Sequence, residues 1–197
     1  MKKRNVLTLV LALVLVAAIA VGNTLAYFTS QDDTSNTFTM GKVEINLDES
    51  DDEGVTWEED GLEYSAVLPG NVEKKIARVT VDEDSEDCYL MMTVEVAVAE
   101  DTTLTSADIA ALYGAIVDAI DEEAWTVTTE NDGTLKCVYN GSLTAEDEVR
   151  LFETITIPTS FGNNTAGQSF EIVLNAYAIQ ADNLELSDVD WDAEFAA

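Results

Sequence analysis

Between Leu90 and Val98 every second residue is apolar: Leu90, Met92, Val94, Val96 and Val98 alternate with Met91, Thr93, Glu95 and Ala97. Successive side chains of a strand point to opposite faces, so a period of two specifies a strand with one buried face and excludes a helix there. Val43, Ile45 and Leu47 alternate in the same way with Lys42, Glu44 and Asn46. Phe170, Ile172, Leu174, Ala176 and Ala178 form a third row, and Val173, Tyr177 and Ile179 make its second face apolar too. That double row predicts a central or covered strand. Shorter strands are predicted at Leu62 to Leu68, Ile76 to Val81, Trp125 to Thr129, Leu135 to Tyr139 and Leu151 to Ile157, with Asn131-Asp132-Gly133 as a hairpin turn. Many short strands divided by turn residues indicate a mainly β sandwich or barrel, not a βαβ sheet.

One segment has a different period. From Ser106 to Glu123 the apolar residues Ile109, Leu112, Tyr113, Ile116 and Ile120 recur every three or four positions, behind a Thr105-x-x-Asp108 capping pattern. This predicts one inserted amphipathic helix packed on the sheets.

The N-terminus reads as an export signal. Lys2, Lys3 and Arg4 precede an apolar run from Val6 to Val21 broken only by Thr8, and small residues lead up to Ala26. Cleavage between Ala26 and Tyr27 divides the chain into a signal peptide, 1–26, and a single acidic domain, 27–197. The run is shorter than the ~20 residues a bilayer span requires. The membrane is therefore expected as a partner only before cleavage, and the product is expected outside the cell.

Charge and missing residue types narrow the function. The 197 residues carry 39 Asp and Glu against 9 Lys and Arg, a net charge of −30. Loss of Lys2, Lys3 and Arg4 with the signal takes the mature chain to about −33. Nucleic acid is excluded as a partner, because polyphosphate binds by releasing counterions onto a basic surface. There is no His, hence no Ser-His-Asp triad and no H-E-x-x-H helix, and neither a phosphate-binding loop nor a dinucleotide turn is present. Only paired-carboxylate chemistry is left to an enzyme, and with so many acids a chance pairing carries no weight. We therefore expect no enzyme, no catalytic residue and no cofactor.

The acidic runs Asp48-Glu49-Ser50-Asp51-Asp52-Glu53 and Asp82-Glu83-Asp84-Ser85-Glu86-Asp87 offer the oxygen ligands calcium prefers, without the spacing of an EF-hand. They read first as solvated loops, and Asp48 to Asp60 as the mobile one. No metal ligand is assigned. The two thiols, Cys88 and Cys137, share the parity of their strands' apolar residues. They are either one disulfide, contributing about 4 kcal/mol in the chain-entropy account, or two separate buried thiols.

The junction Gly22-Asn23-Thr24-Leu25-Ala26-Tyr27-Phe28-Thr29-Ser30, followed by Asn36-Thr37-Phe38-Thr39-Met40-Gly41 and the strand Lys42 to Leu47, resembles the signal and mature start of the TasA/camelysin family. Leu68-Pro69-Gly70, Arg78-Val79-Thr80-Val81 and Cys88-Tyr89-Leu90-Met91 resemble the family's Pro-Gly turn and the strands after it. Ile155-Thr156-Ile157-Pro158 and Ala176-Tyr177-Ala178-Ile179-Gln180-Ala181 resemble its C-terminal strands.

The resemblance implies a jelly-roll-like antiparallel β-sandwich on the surface of a Gram-positive bacterium, exported through a SipW-type signal peptidase. It also implies a biofilm-matrix protein, in many relatives a fibre subunit. Some relatives have been described as proteases, for which this chain lacks the usual zinc ligands. Fibres of this kind grow when the N-terminal strand of one subunit completes the sandwich of the next. Here the donor is Tyr27 to Met40, anchored by Tyr27, Phe28, Phe38 and Met40, and signal cleavage frees it. The competing expectations are that Phe38 to Leu47 is simply the domain's own first strand, and that the protein is a monomeric acidic, calcium-binding adhesin.

Overall fold

The computed structural model describes residues 42–59, 61–64, 67–163 and 165–195. They belong to one unit, Gly41–Ala197. The alternating rows become strands: β1 (Ile45–Ser50), β2 (Val72–Val81), β3 (Cys88–Val98), β4 (Trp125–Thr129), β5 (Leu135–Leu143), β6 (Glu148–Thr156) and β7 (Phe170–Gln180). Two antiparallel sheets form, ordered β1-β2-β6 and β4-β5-β3-β7. The chain crosses between them after β2, β5 and β6, so the protein is a jelly-roll-like antiparallel β-sandwich. Its core is built from the inward rows of both sheets, with Val79, Val81, Leu90, Met92, Val94, Cys137 and Leu151 buried.

The predicted helix is α1, Ser106–Val117, inserted between β3 and β4. Its capping box is complete: Thr105 Oγ1 accepts from the Asp108 amide, and Asp108 accepts from the Thr105 amide at 2.8 Å. The helix stops six residues before the expected end. Ala119 and Ile120 donate to Ile116 and Val117, three residues back, which tightens the chain into turns while keeping Ile120 buried. The Asn131-Asp132-Gly133 hairpin joins β4 to β5, with Gly133 at φ +96°.

One expectation changes and two open alternatives narrow. Leu62 to Leu68 forms no strand: its described residues join no ladder, and Tyr64 is tied instead through its hydroxyl to the Lys74 carbonyl at 2.6 Å. The doubly apolar strand β7 is not central among the described strands but lies at the end of its sheet. Its outer face is covered, though only toward its C-terminal end. There the tail folds back, with Phe195 5.0 Å from Tyr177 and 6.0 Å from Trp191, ring centre to ring centre. The short helix α2 (Trp191–Glu194) buries Trp191 beneath that turn.

Of the two readings of Cys88 and Cys137, the structure has the separate buried thiols. Both thiols are free and buried. Cys137 stands opposite Met92, four residues along β3 from Cys88. That is about 13 Å at strand rise, beyond the reach of a disulfide.

Candidate functional site

The two long sides of the sandwich are finished differently. On the side of β4 and β6, Trp125 is 2% exposed and donates its indole N–H to the Arg150 carbonyl at 3.0 Å, joining the two sheet edges. Tyr139 meets the Trp125 ring edge-on at 5.3 Å, and α1 packs against β3 and β6. On the side of β1 and β7 nothing comparable appears among the described residues. Val43, Ile45 and Leu47 point inward, as do Phe170, Ile172 and Leu174, yet all six are only half-buried.

Leu47, Ile172 and Leu174 belong to a groove of about 1280 Å³ that runs across the neighbouring ends of β1, β2 and β6, with Ile155, Ile157 and Phe161 as its other apolar walls and only Phe170 to Leu174 of β7 along it. The outer edge of β7 pairs with no described strand. That strand pairs with β3 through eleven consecutive positions without a bulge and carries one charged residue, Glu171. Sheet edges are ordinarily protected by bulges, prolines, lysines or short length. This edge has none of these.

The floor of the groove is not wholly apolar. The inward row of β1 continues from Leu47 to Glu49, and that of β2 runs back from Val79 and Ala77 to Lys75. Lys75 Nζ donates to the Glu49 carboxylate in an ion pair whose side chains are 8% and 9% exposed. β2 bulges against β6 at this point, so Lys75, Ile76 and Ala77 are all buried in succession. Tyr64 stands at the same end. Burial first, and then the charges of Asp51, Glu49 and Glu73, push its hydroxyl well above the ordinary phenol range.

The acidic run expected as a mobile loop is tied down over the outer face of β1 and β2. Asp52 accepts from the amides of Val55 and Thr56 and from the Thr56 hydroxyl, at 2.7 to 3.0 Å, while the Ser50 hydroxyl donates to it at 2.8 Å. These bonds, those from Thr56 foremost, hold the Asp52 carboxyl down at about 2. Glu49 and Glu58 exchange two backbone hydrogen bonds, closing the loop as a small hairpin. Trp57 is thereby laid on Arg78, whose guanidinium carbon lies 3.4 Å from the ring centre. The other side of Arg78 is a two-bond fork to Asp48, at 2.8 and 2.7 Å. Gly54, at φ +83°, is required here, because a Cβ would come within 2.9 Å of the Trp57 ring.

Of the residues singled out from the sequence, Ala26, Tyr27, Phe28, Phe38 and Met40 lie outside the described residues. The two acidic runs do not converge into a cation site. Asp48 is spent on Arg78, Asp52 on its own loop, and Asp82 caps the turn from β2 to β3 by accepting from the Asp84 amide at 3.0 Å. Among the described residues no three His, Cys, Asp or Glu are grouped to hold a metal ion. No described helix is long and apolar enough to cross a membrane.

The pairing of Glu49 with Lys75 is missed from the sequence, where Glu49 reads only as part of an acidic run and the strand patterns end at the last apolar residue. The signal was present: one further step of two from Leu47 reaches Glu49, and one step back from Ala77 reaches Lys75. No family model, no curated protein and no solved structure matches this chain. Among the described residues the fold is an antiparallel sandwich in which the outer edge of β7 pairs with no further strand, beside a groove with apolar walls and a charged floor.

Proposed function

We propose that the chain is a secreted structural protein of the cell surface or biofilm matrix, a fibre subunit of the TasA/camelysin type. After a SipW-type peptidase cleaves between Ala26 and Tyr27, the segment Tyr27 to Met40 of one copy pairs with the edge of β7 in the next, an edge that no described strand occupies, and covers the apolar wall that β7 gives the groove. The observation that carries this reading is the pairing of that edge with an incompletely buried inner face. Strand addition supplies backbone hydrogen bonds along β7 and apolar cover for Ile172 and Leu174 in one step. Fourteen residues extend about 46 Å at strand rise, against about 36 Å for the eleven of β7, so the segment is long enough to follow the whole edge. A head-to-tail contact of this kind propagates into a filament where its rotation does not close a ring.

The protein acts in this reading through its surface and its contacts, with no catalysis. The test is deletion of Tyr27 to Phe38 from the mature chain, followed by electron microscopy and size-exclusion chromatography. A folded monomer that forms no filaments is expected. Filaments that persist after the deletion overturn the donor assignment.

A further inference from the structure

The groove sets carboxylates without cationic partners beside apolar walls. Glu49 and Lys75 offset one another on its floor, which leaves Glu59, Glu63, Glu73 and Glu171 as the other charged residues of its described lining. Among the described residues none of these four is in an ion pair. Glu59, Glu63 and Glu171 are exposed, while Ile155 and Ile157 are buried, so the acids form a rim and the apolar side chains lie deeper. Leu68, in the same lining, is 62% exposed. The charge is felt at Tyr64, where burial first, and then Asp51, Glu49 and Glu73, hold the proton on the hydroxyl.

An acidic rim over apolar walls is complementary to a segment that turns apolar side chains inward and basic ones toward the rim. At about 1280 Å³ the groove exceeds the ~300–1,000 Å³ of small-molecule pockets, which favours a stretch of polypeptide. A second copy does not supply the charge. Beyond Lys2, Lys3 and Arg4 the bases of the chain are Lys42, Lys74, Lys75, Arg78, Lys136 and Arg150. Each is already paired with a carboxylate of its own chain. The segment Tyr27 to Met40 holds Asp32 and Asp33 and no base.

We propose that the groove docks a basic, apolar-bearing segment of a different protein, with Glu59, Glu63 and Glu73 receiving its cations and Ile155, Ile157 and Phe161 its apolar side chains. None of these residues belongs to β7, and the proposal does not rest on the fibre reading.

The test measures binding of a synthetic peptide of alternating lysine and isoleucine to the mature chain, by fluorescence anisotropy at physiological salt and below the concentration of any assembly. Alternation places the two residue types on opposite faces of an extended segment. Binding is expected, and Glu63→Gln/Glu73→Gln is expected to weaken it about tenfold. Glu122→Gln/Glu123→Gln removes the same charge from the exposed turn before β4 and is expected to change binding less than about twofold. Circular dichroism confirms that each variant is folded. Equal weakening by both variants shows a diffuse attraction of cations to an acidic protein and overturns the site. A peptide with serine for isoleucine, or one with glutamate for lysine, that binds as tightly overturns the complementarity. Peptide binding that weakens as the mature chain is made more concentrated assigns the groove to a second copy instead. No binding of the lysine–isoleucine peptide overturns the docking proposal and leaves the fibre reading standing.

Discussion

Removing Lys75 alone, by Lys75→Met, leaves the Glu49 carboxylate in the groove without its cation. Both side chains are more than nine-tenths buried, so solvent does little to screen the loss. Breaking one side of such a pair costs about 3 to 5 kcal/mol. Against a total stability of about 5 to 15 kcal/mol for a domain, that is a large fraction, and for a chain of this length it lowers the melting temperature by roughly 6 to 20 °C.

Glu49→Leu alone, which strands the ammonium, is expected to cost a similar amount. The double variant Glu49→Leu/Lys75→Met removes both ions and keeps the volume, so its stability is expected within about 1 kcal/mol of the native chain, or above it. The assay is urea unfolding of the mature chain at pH 7, below the concentration of any assembly, followed by tryptophan fluorescence from buried Trp125. The cycle then yields the coupling of the two side chains directly. Single variants that each cost under about 1 kcal/mol, and whose effects add in the double, would show that the pair is solvated and that the groove has no buried charged floor.

Gly54→Ala forces a methyl against the Trp57 ring in a left-handed conformation; we expect a loss of about 1 kcal/mol and a shift of Trp57 emission as the ring leaves Arg78. The Asp52 carboxyl is held below its unfolded value, so the stability it contributes is complete above about pH 4 and is lost as pH falls through about 2. Asp52→Asn should flatten acid unfolding in that window, and an unchanged acid limb would refute the role given to its hydrogen bonds. Burial pushes the thiols of Cys88 and Cys137 up to about 11 and about 12, so neither is expected to react with a maleimide in the folded protein at pH 8, while both react in urea. Fast labelling of the native chain would contradict that burial. With a mature charge near −33, filament formation should be promoted by salt, calcium or mild acid, and a yield indifferent to all three would show that repulsion between subunits does not limit assembly.

The sandwich was legible from a period of two because its inward rows are long and nearly pure, as in Leu90 to Val98, and α1 was legible from its cap and its stripe. What the pattern does not carry is the neighbourhood of each strand. Apolar residues on both faces of β7 indicate that it is covered, but not by what. One face is partly covered at Tyr177 by Phe195 of the tail, which also stacks on Trp191, and the other is left half-buried. Leu62 to Leu68 misled for a related reason, since an apolar run can line a groove without entering a ladder. The acidic loop misled because net charge says nothing of how one carboxylate, Asp52, is used by the amides around it.

The same limits bear on the candidate site. Its apolar walls come from rows that the alternation identifies correctly, and its two charges extend those same rows one step further. A charged residue at the next inward position of a strand reads as the strand's end when the core is assumed complete. It reads differently when, among the described residues, the row borders a groove. Glu49 is the last inward position of β1, and with Lys75 and then Glu73 of β2 it makes the polar floor of the groove. In the fibre reading, a strand that entered this groove would have a charge to satisfy as well as an apolar wall to cover, which is a stricter demand than hydrophobic closure alone.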